Sequence, residues 1–160
     1  MVRRYVAVFV GVALTLSISG IALASTHYKA VATGKLVGTV APATDNQCAA
    51  SASTMDLAGK SGPVVQRFAE PWGCAFTTVT EPDPNGGGVI ARTKAKATGI
   101  TKYGQRAATQ DECDQLAGVL DIIDELMSDP KNSQYLTGLS MVLSGVVNVG
   151  EAMGCSFSSV

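Results

Sequence analysis

Four cysteines, Cys48, Cys74, Cys113 and Cys155, constrain this chain more than any other feature. They form an even set, contain no Cys-x-x-Cys pair, and share the chain with a single histidine, His27. A structural zinc site draws its ligands from close Cys and His pairs, and a thioredoxin-like centre needs Cys-x-x-Cys, so the spacing argues against both. What remains is two disulfides, for which four cysteines allow three pairings. Disulfides persist only in oxidising surroundings, so the cysteines make sense if the chain leaves the cytoplasm.

The N-terminus points the same way. Arg3 and Arg4 precede an apolar run from Tyr5 to Leu16; Ser17, Ser19 and Gly20 follow, then the small-x-small site Ala22-Leu23-Ala24. Positive charge, apolar stretch and small-residue site in that order make a secretory signal peptide over residues 1–24. The competing reading is an uncleaved anchor, since Val6 to Ala24 nearly matches the roughly 20 residues a membrane span needs. Thr15, Ser17, Ser19 and the cleavage site favour removal. The mature chain is then a single domain over 25–160, localised in the periplasm, cell envelope or extracellular space, and any membrane contact would come through an uncleaved leader.

The formal charge of −1 becomes more negative once Arg3 and Arg4 depart. A near-balanced or acidic domain lacks the basic footprint of nucleic-acid binding. The charge is also divided. Residues 25–106 carry nine Lys/Arg against five Asp/Glu, whereas 107–160 carry one lysine, Lys131, against eight acids. Such a division marks two structurally different halves, and the simplest account is that the acidic half packs on the basic one.

The acidic half has helical period. Thr109-Gln110-Asp111-Glu112 is a capping box, after which Leu116, Val119, Leu120, Ile123 and Met127 fall on one face. Ser128-Asp129-Pro130 ends this helix, about 110–127, and starts a second, about 132–153, which stops at Gly154. The second is apolar almost all round between Leu136 and Val149, as a buried helix should be. Two helices joined by a few residues run antiparallel. At about 1.5 Å per residue their lengths nearly match, so Cys113, in the first turn of one, meets Cys155, just past the end of the other. That predicts Cys113–Cys155 and, by elimination, Cys48–Cys74.

The basic half, 25–106, reads as mainly β. Tyr28 to Ala41 suggests one or two short strands, and Pro63 to Ala69 another, followed by a Glu70-Pro71-Trp72-Gly73 turn. Asp45 to Ala58 fits either a short helix capped by Asp45 or Asn46 and stopped by Gly59, or a loop. The strongest β signal is a hairpin over about 74–98: Cys74 to Thr80, a breaker loop through Gly86-Gly87-Gly88, then strict alternation from Val89 to Thr98. A short internal echo links Lys29-Ala-Val-Ala-Thr-Gly34 to Lys94-Ala-Lys-Ala-Thr-Gly99, matching at five of six places. Two copies do not make a solenoid. The expected fold is α+β, a small antiparallel sheet covered by a C-terminal helical hairpin.

Chemical motifs are incomplete. Gly59-Lys60-Ser61 has Thr54 where a phosphate-binding loop needs glycine. Asp83-x-Asn85 has Gly87 and Lys94 at later positions where a calcium loop needs oxygen ligands. His27, next to the expected new N-terminus, has no Gly-x-Ser-x-Gly elbow to serve. Asp121, Asp124 and Glu125 lie on an amphipathic helix, where a solvated face explains them. No cofactor or metal is implied. Arg92, Lys94 and Lys96 project from one face of a strand at spacings of about 6.8 Å, a surface for an anionic partner such as an envelope component, for a protein, or simply a lysine-protected strand. The reading is a non-catalytic structural, accessory or binding protein. The alternatives are a carrier that lines a pocket with Trp72, Met141 and Met153, and, last, a carboxylate-dependent hydrolase.

Expression in a secreting host should yield a chain starting at Ser25, by N-terminal sequencing. A product that retains Met1 to Ala24 would refute the leader.

Overall fold

The computed structural model describes residues 27–160, so the leader expected over 1–24 lies outside the described residues. In chain order the elements are β1 (Tyr28–Ala32), α1 (Asp45–Ala58), α2 (Gly62–Trp72), β2 (Cys74–Pro82), β3 (Val89–Ala97), α3 (Gln110–Ser128), α4 (Leu136–Ala152) and β4 (Cys155–Ser159). Short 3-10 turns, Gly59–Ser61 and Pro130–Tyr135, lead into α2 and α4. The fold is α+β, with two antiparallel two-stranded sheets, β2 with β3 and β1 with β4. Both disulfides are formed, Cys48–Cys74 with Cα atoms 5.4 Å apart and Cys113–Cys155 with 5.6 Å. This is the pairing that the antiparallel α3–α4 hairpin requires.

Sequence and structure diverge in the first half. The stretch Pro63–Ala69, expected as a strand, is helix α2, and the expected turn at 70–73 is its last turn. Val65, Phe68, Ala69 and Trp72, at helical spacing, are all buried, and this period overrides the β preference of the Val64-Val65 pair. Pro63 sits at the first helical positions, where its missing N–H costs nothing. Asp45–Ala58 is helical, capped by Thr44 rather than Asp45 or Asn46: Thr44 and Gln47 form a reciprocal capping box. Ser51 and Thr54 are fully buried on α1, with hydroxyls donating to the carbonyls of Gln47 and Ala50, which removes the cost of burying them. Region 25–106 therefore carries two helices beside its strands. The expected second helix starts later, at Leu136, and the chain beyond Gly154 forms a strand that sequence reasoning left out.

The Lys29/Lys94 echo is the visible part of a structural repeat. At one constant spacing, Lys29 matches Lys94, Ala43 matches Ala108, the N-cap Thr44 matches Thr109, and Cys48 matches Cys113. Each half has a strand, a loop, two helices, a left-handed glycine (Gly73 or Gly154), a cysteine and a second strand. The hydrogen bonds repeat as well. Thr33 N–H donates to Gly154 and Thr98 N–H to Gly73, both at 2.8 Å; Ala43 N–H donates to Trp72 and Ala108 N–H to Met153, at 2.9 and 2.8 Å.

The first strand of each half crosses to the other half. β1 pairs with β4 and lies along α3, while β3 pairs with β2 and lies along α1. The helix side chains seal the outer edge of each crossing strand. Asp45 and Asp56 of α1 accept from the N–H groups of Ala97 and Thr93; Gln110 and Asp121 of α3 accept from those of Ala32 and Tyr28. Each pair of acceptors is three helical turns apart on one face, which spans four residues of strand.

One hydrophobic cluster joins the halves, with Val142, Val146, Leu120, Ile123, Phe68 and Trp72 among its members. The Trp72 ring lies so close to Gly145 that a β-carbon there would overlap it. Gly145→Ala should therefore lower stability by about 1–3 kcal/mol through overpacking, measured by denaturant unfolding with the disulfides intact. An unchanged midpoint would show that the ring yields freely.

Candidate functional site

The repeat sets up two equivalent helix–helix junctions, α1 with α4 and α2 with α3, and they are not filled alike. At the first, the Trp72 indole occupies the space over Gly145. At the second, Met153 stands where Trp72 does, by the matching hydrogen bonds of Ala108 and Ala43, and counting back from Gly154 and Gly73 sets Gly145 against Val64. This junction stays open as a groove of about 180 Å³, floored by Val64, Phe68, Leu116, Val119 and Met153 and rimmed by Arg67, Tyr103, Glu112 and Gln115.

Each wall follows from local structure. Phe68 and Val64 stand one turn apart on α2, and Leu116 and Val119 share the buried face of α3. Tyr103, in the loop between β3 and α3, lies against Phe68 with ring centroids 6.0 Å apart, and its hydroxyl donates to the Phe68 carbonyl at 2.8 Å. Burial, with a smaller contribution from Glu112, raises the Tyr103 pKa, so this phenol stays protonated. Arg67 is exposed at the mouth; its Nε donates to the Pro63 carbonyl at 3.3 Å, and no carboxylate among the described residues pairs with its guanidinium.

Glu112 is committed elsewhere. Its carboxylate takes both terminal nitrogens of Arg106, at 2.9 and 2.6 Å, and the N–H of Thr109 at 2.8 Å. The Arg106 hydrogen bond lowers its pKa most; burial opposes it, and the Thr109 backbone and the Arg106 charge add to the lowering, which leaves the pKa at about 2. A carboxylate fixed in this way is ionised at neutral pH and unsuited to donating or accepting a proton.

The residues singled out in the sequence lie elsewhere. Arg92 and Lys94 project from β3, but Glu81 of β2 reaches across to both, at 3.5 and 3.0 Å. Lys96 has no ion-pair partner among the described residues and remains exposed. The edge these bases would protect on β3 is already sealed by Asp45 and Asp56. Trp72 is core, Met141 is half-buried on α4, and only Met153 of the expected carrier set lines the groove. Asp121 holds the Tyr28 N–H at 2.7 Å and lies 3.8 Å from His27. Asp83 accepts from Asn85 N–H and closes a turn. Among the described residues, no three His, Cys, Asp or Glu side chains gather to hold a metal, and no helix is long and apolar enough to cross a membrane.

Sequence reasoning missed the groove because one wall comes from α2, read as a strand, and another from Tyr103, a loop residue that no motif marks. The usable signal was the helical spacing of Val64, Arg67, Phe68 and Pro71, which share one face of α2.

The Glu112 pairing gives a pH dependence. Because the folded pKa lies below the ordinary carboxylate range, the stabilisation is complete above that range and is lost as pH falls towards 2. Glu112→Gln should thus lower stability at neutral pH by at most about 1 kcal/mol, given the exposure of the pair. The deficit should shrink as wild type is taken from pH 5 towards pH 2 in unfolding experiments; a pH-independent deficit would assign the loss to the cap alone. No family model, curated protein or solved structure matches this chain.

Proposed function

We propose that this is an exported, non-catalytic binding protein of the cell envelope or extracellular space, and that it holds the apolar part of a small anionic ligand in the groove between α2 and α3. One observation carries the reading. Of two equivalent helix junctions, one is closed by Trp72 over Gly145, and the other is left open with the exposed Arg67 guanidinium, which pairs with no carboxylate among the described residues, at its rim. A ligand site combines an apolar, largely pre-formed concavity with a few placed polar groups, and Arg67 is the group that would orient a carboxylate.

Export is supported by the Arg3 to Ala24 pattern and by two disulfides in a chain with no free cysteine among the described residues. Binding rather than catalysis is supported by the state of the groove's titratable groups. Glu112 is held ionised by Arg106, and Tyr103 is held protonated with its hydroxyl already donating to a carbonyl. Neither is poised to exchange a proton near neutral pH. The groove is an open cleft, which suits a ligand held by one short apolar group more than a cargo enclosed on all sides.

NMR titration with hexanoate, alongside hexanol and hexylamine as neutral and cationic counterparts, tests this reading. Hexanoate should move the amide signals of Phe68, Leu116 and Met153, and Arg67→Ala should weaken it about tenfold, the worth of one charge-assisted contact. No response to hexanoate at millimolar concentration rejects the groove as a site; equal responses to all three probes reject Arg67 as the determinant.

A further inference from the structure

The two edges of the β2–β3 hairpin are treated differently by the fold. In an antiparallel pair, every second residue turns its N–H and C=O away from the partner strand. On β3 these include Thr93 and Ala97, which are taken up by Asp56 and Asp45. Thr93 stands opposite Thr78, and Ala97 opposite Cys74, so the outward residues of β2 beyond its buried cysteine are Phe76, Thr78 and Thr80. None of the described residues bonds their outward N–H groups, and among the described residues β2 has no second neighbouring strand.

The sequence of that open edge is the kind that pairs. From Cys74 to Thr80 it carries no charge and is built of Ala, Phe, Val and three threonines, a composition favoured in strands. Edges are normally blunted by lysine, proline or a covering element. Here Lys94 and Lys96 belong to the strand whose edge is already sealed, and Pro82 stands only at the far end of β2. Thr78 and Thr80 are exposed.

We propose that β2 pairs with β2 of a second copy of this chain, antiparallel about a twofold axis at Thr78, so that the two hairpins form one four-stranded sheet. With the axis there, Phe76 exchanges hydrogen bonds with Thr80 of the second copy and Thr78 with its own counterpart, so every outward N–H between 76 and 80 gains an acceptor. The same register sets Ala75 beside Glu81 of the second copy. Lys96 is opposite Ala75 within the hairpin, which brings the one base of the stripe without an ion-pair partner within reach of a carboxylate. The two basic stripes meanwhile lie three strand spacings apart, about 14 Å, beyond the screening length of about 10 Å at 0.1 M salt. The equivalent edge of β4 is shorter: past buried Cys155 it presents only Phe157 and Ser159.

Sedimentation equilibrium of the disulfide-bonded mature protein, from micromolar to millimolar concentration, tests the pairing. A reversible monomer–dimer equilibrium is expected, with slowed hydrogen exchange at Phe76, Thr78 and Thr80 as the dimer fills. Thr78→Pro removes the axial N–H without touching the β2–β3 ladder, and Thr78→Lys places two ammonium groups on the axis. Thr78→Pro should weaken association about thirtyfold or more, as expected for losing two hydrogen bonds, and Thr78→Lys should weaken it through like-charge repulsion that salt relieves, both with the monomer's circular dichroism unchanged. Lys96→Glu should weaken it by a smaller factor that vanishes at high salt. A chain that stays monomeric throughout overturns the proposal, as does a dimer indifferent to both Thr78 variants, or a β2 edge protected only by an added extended peptide. The groove between α2 and α3 plays no part in these readouts.

Discussion

Two glycines without side chains hold the architecture together. At Gly73 and Gly154 the backbone takes left-handed φ values of 114° and 88°, ending each helix pair and turning the chain into the cysteine-led strand. The same positions are where the other half crosses. The Ile100 carbonyl lies 2.7 Å from where a Gly73 β-carbon would stand, and the Lys35 carbonyl presses on Gly154 in the matching place. A side chain would be strained by φ and by contact at once. That close approach lets the segment following each crossing strand pack directly against the turn that begins its partner strand.

Much of the second half was legible because its signals are local. A capping box, an apolar stripe and a left-handed glycine define α3 and α4, and the antiparallel packing of two such helices is enough to bring Cys113 to Cys155. The β2–β3 hairpin was legible for the same reason, as alternation and a glycine loop lie within a few residues of each other. The first half was harder. In α2 the β-branched Val64 and Val65 carry a strong strand preference, and only the burial of Phe68, Ala69 and Trp72 against other elements decides for helix. In β4, Ser-Phe-Ser is too short to announce a strand, and its partner is at the opposite end of the described chain.

The candidate site was hidden for a related reason. No motif marks it, since nothing in it performs a reaction that demands fixed residue types. It becomes visible as a difference between two copies of one arrangement. Where one copy puts tryptophan over glycine, the other puts methionine near valine and leaves space, and an exposed arginine stands at the rim. The repeat supplies an internal reference: positions kept alike, such as Thr44 with Thr109 and Ala43 with Ala108, hold the frame. The positions that diverge separate the filled junction from the open one.

The crossing of β1 also bears on how the chain is assembled. The unit built on α1, α2, β2 and β3 draws on one continuous segment and can close as soon as that segment is available. The other needs Tyr28 to meet Ser159, which joins nearly the whole length of the described chain. Loop-closure entropy rises with that separation, and contacts of such long range slow folding. A chain threaded outward N-terminus first would hold β1 ready from the start, with nothing to receive it until the last residues had crossed.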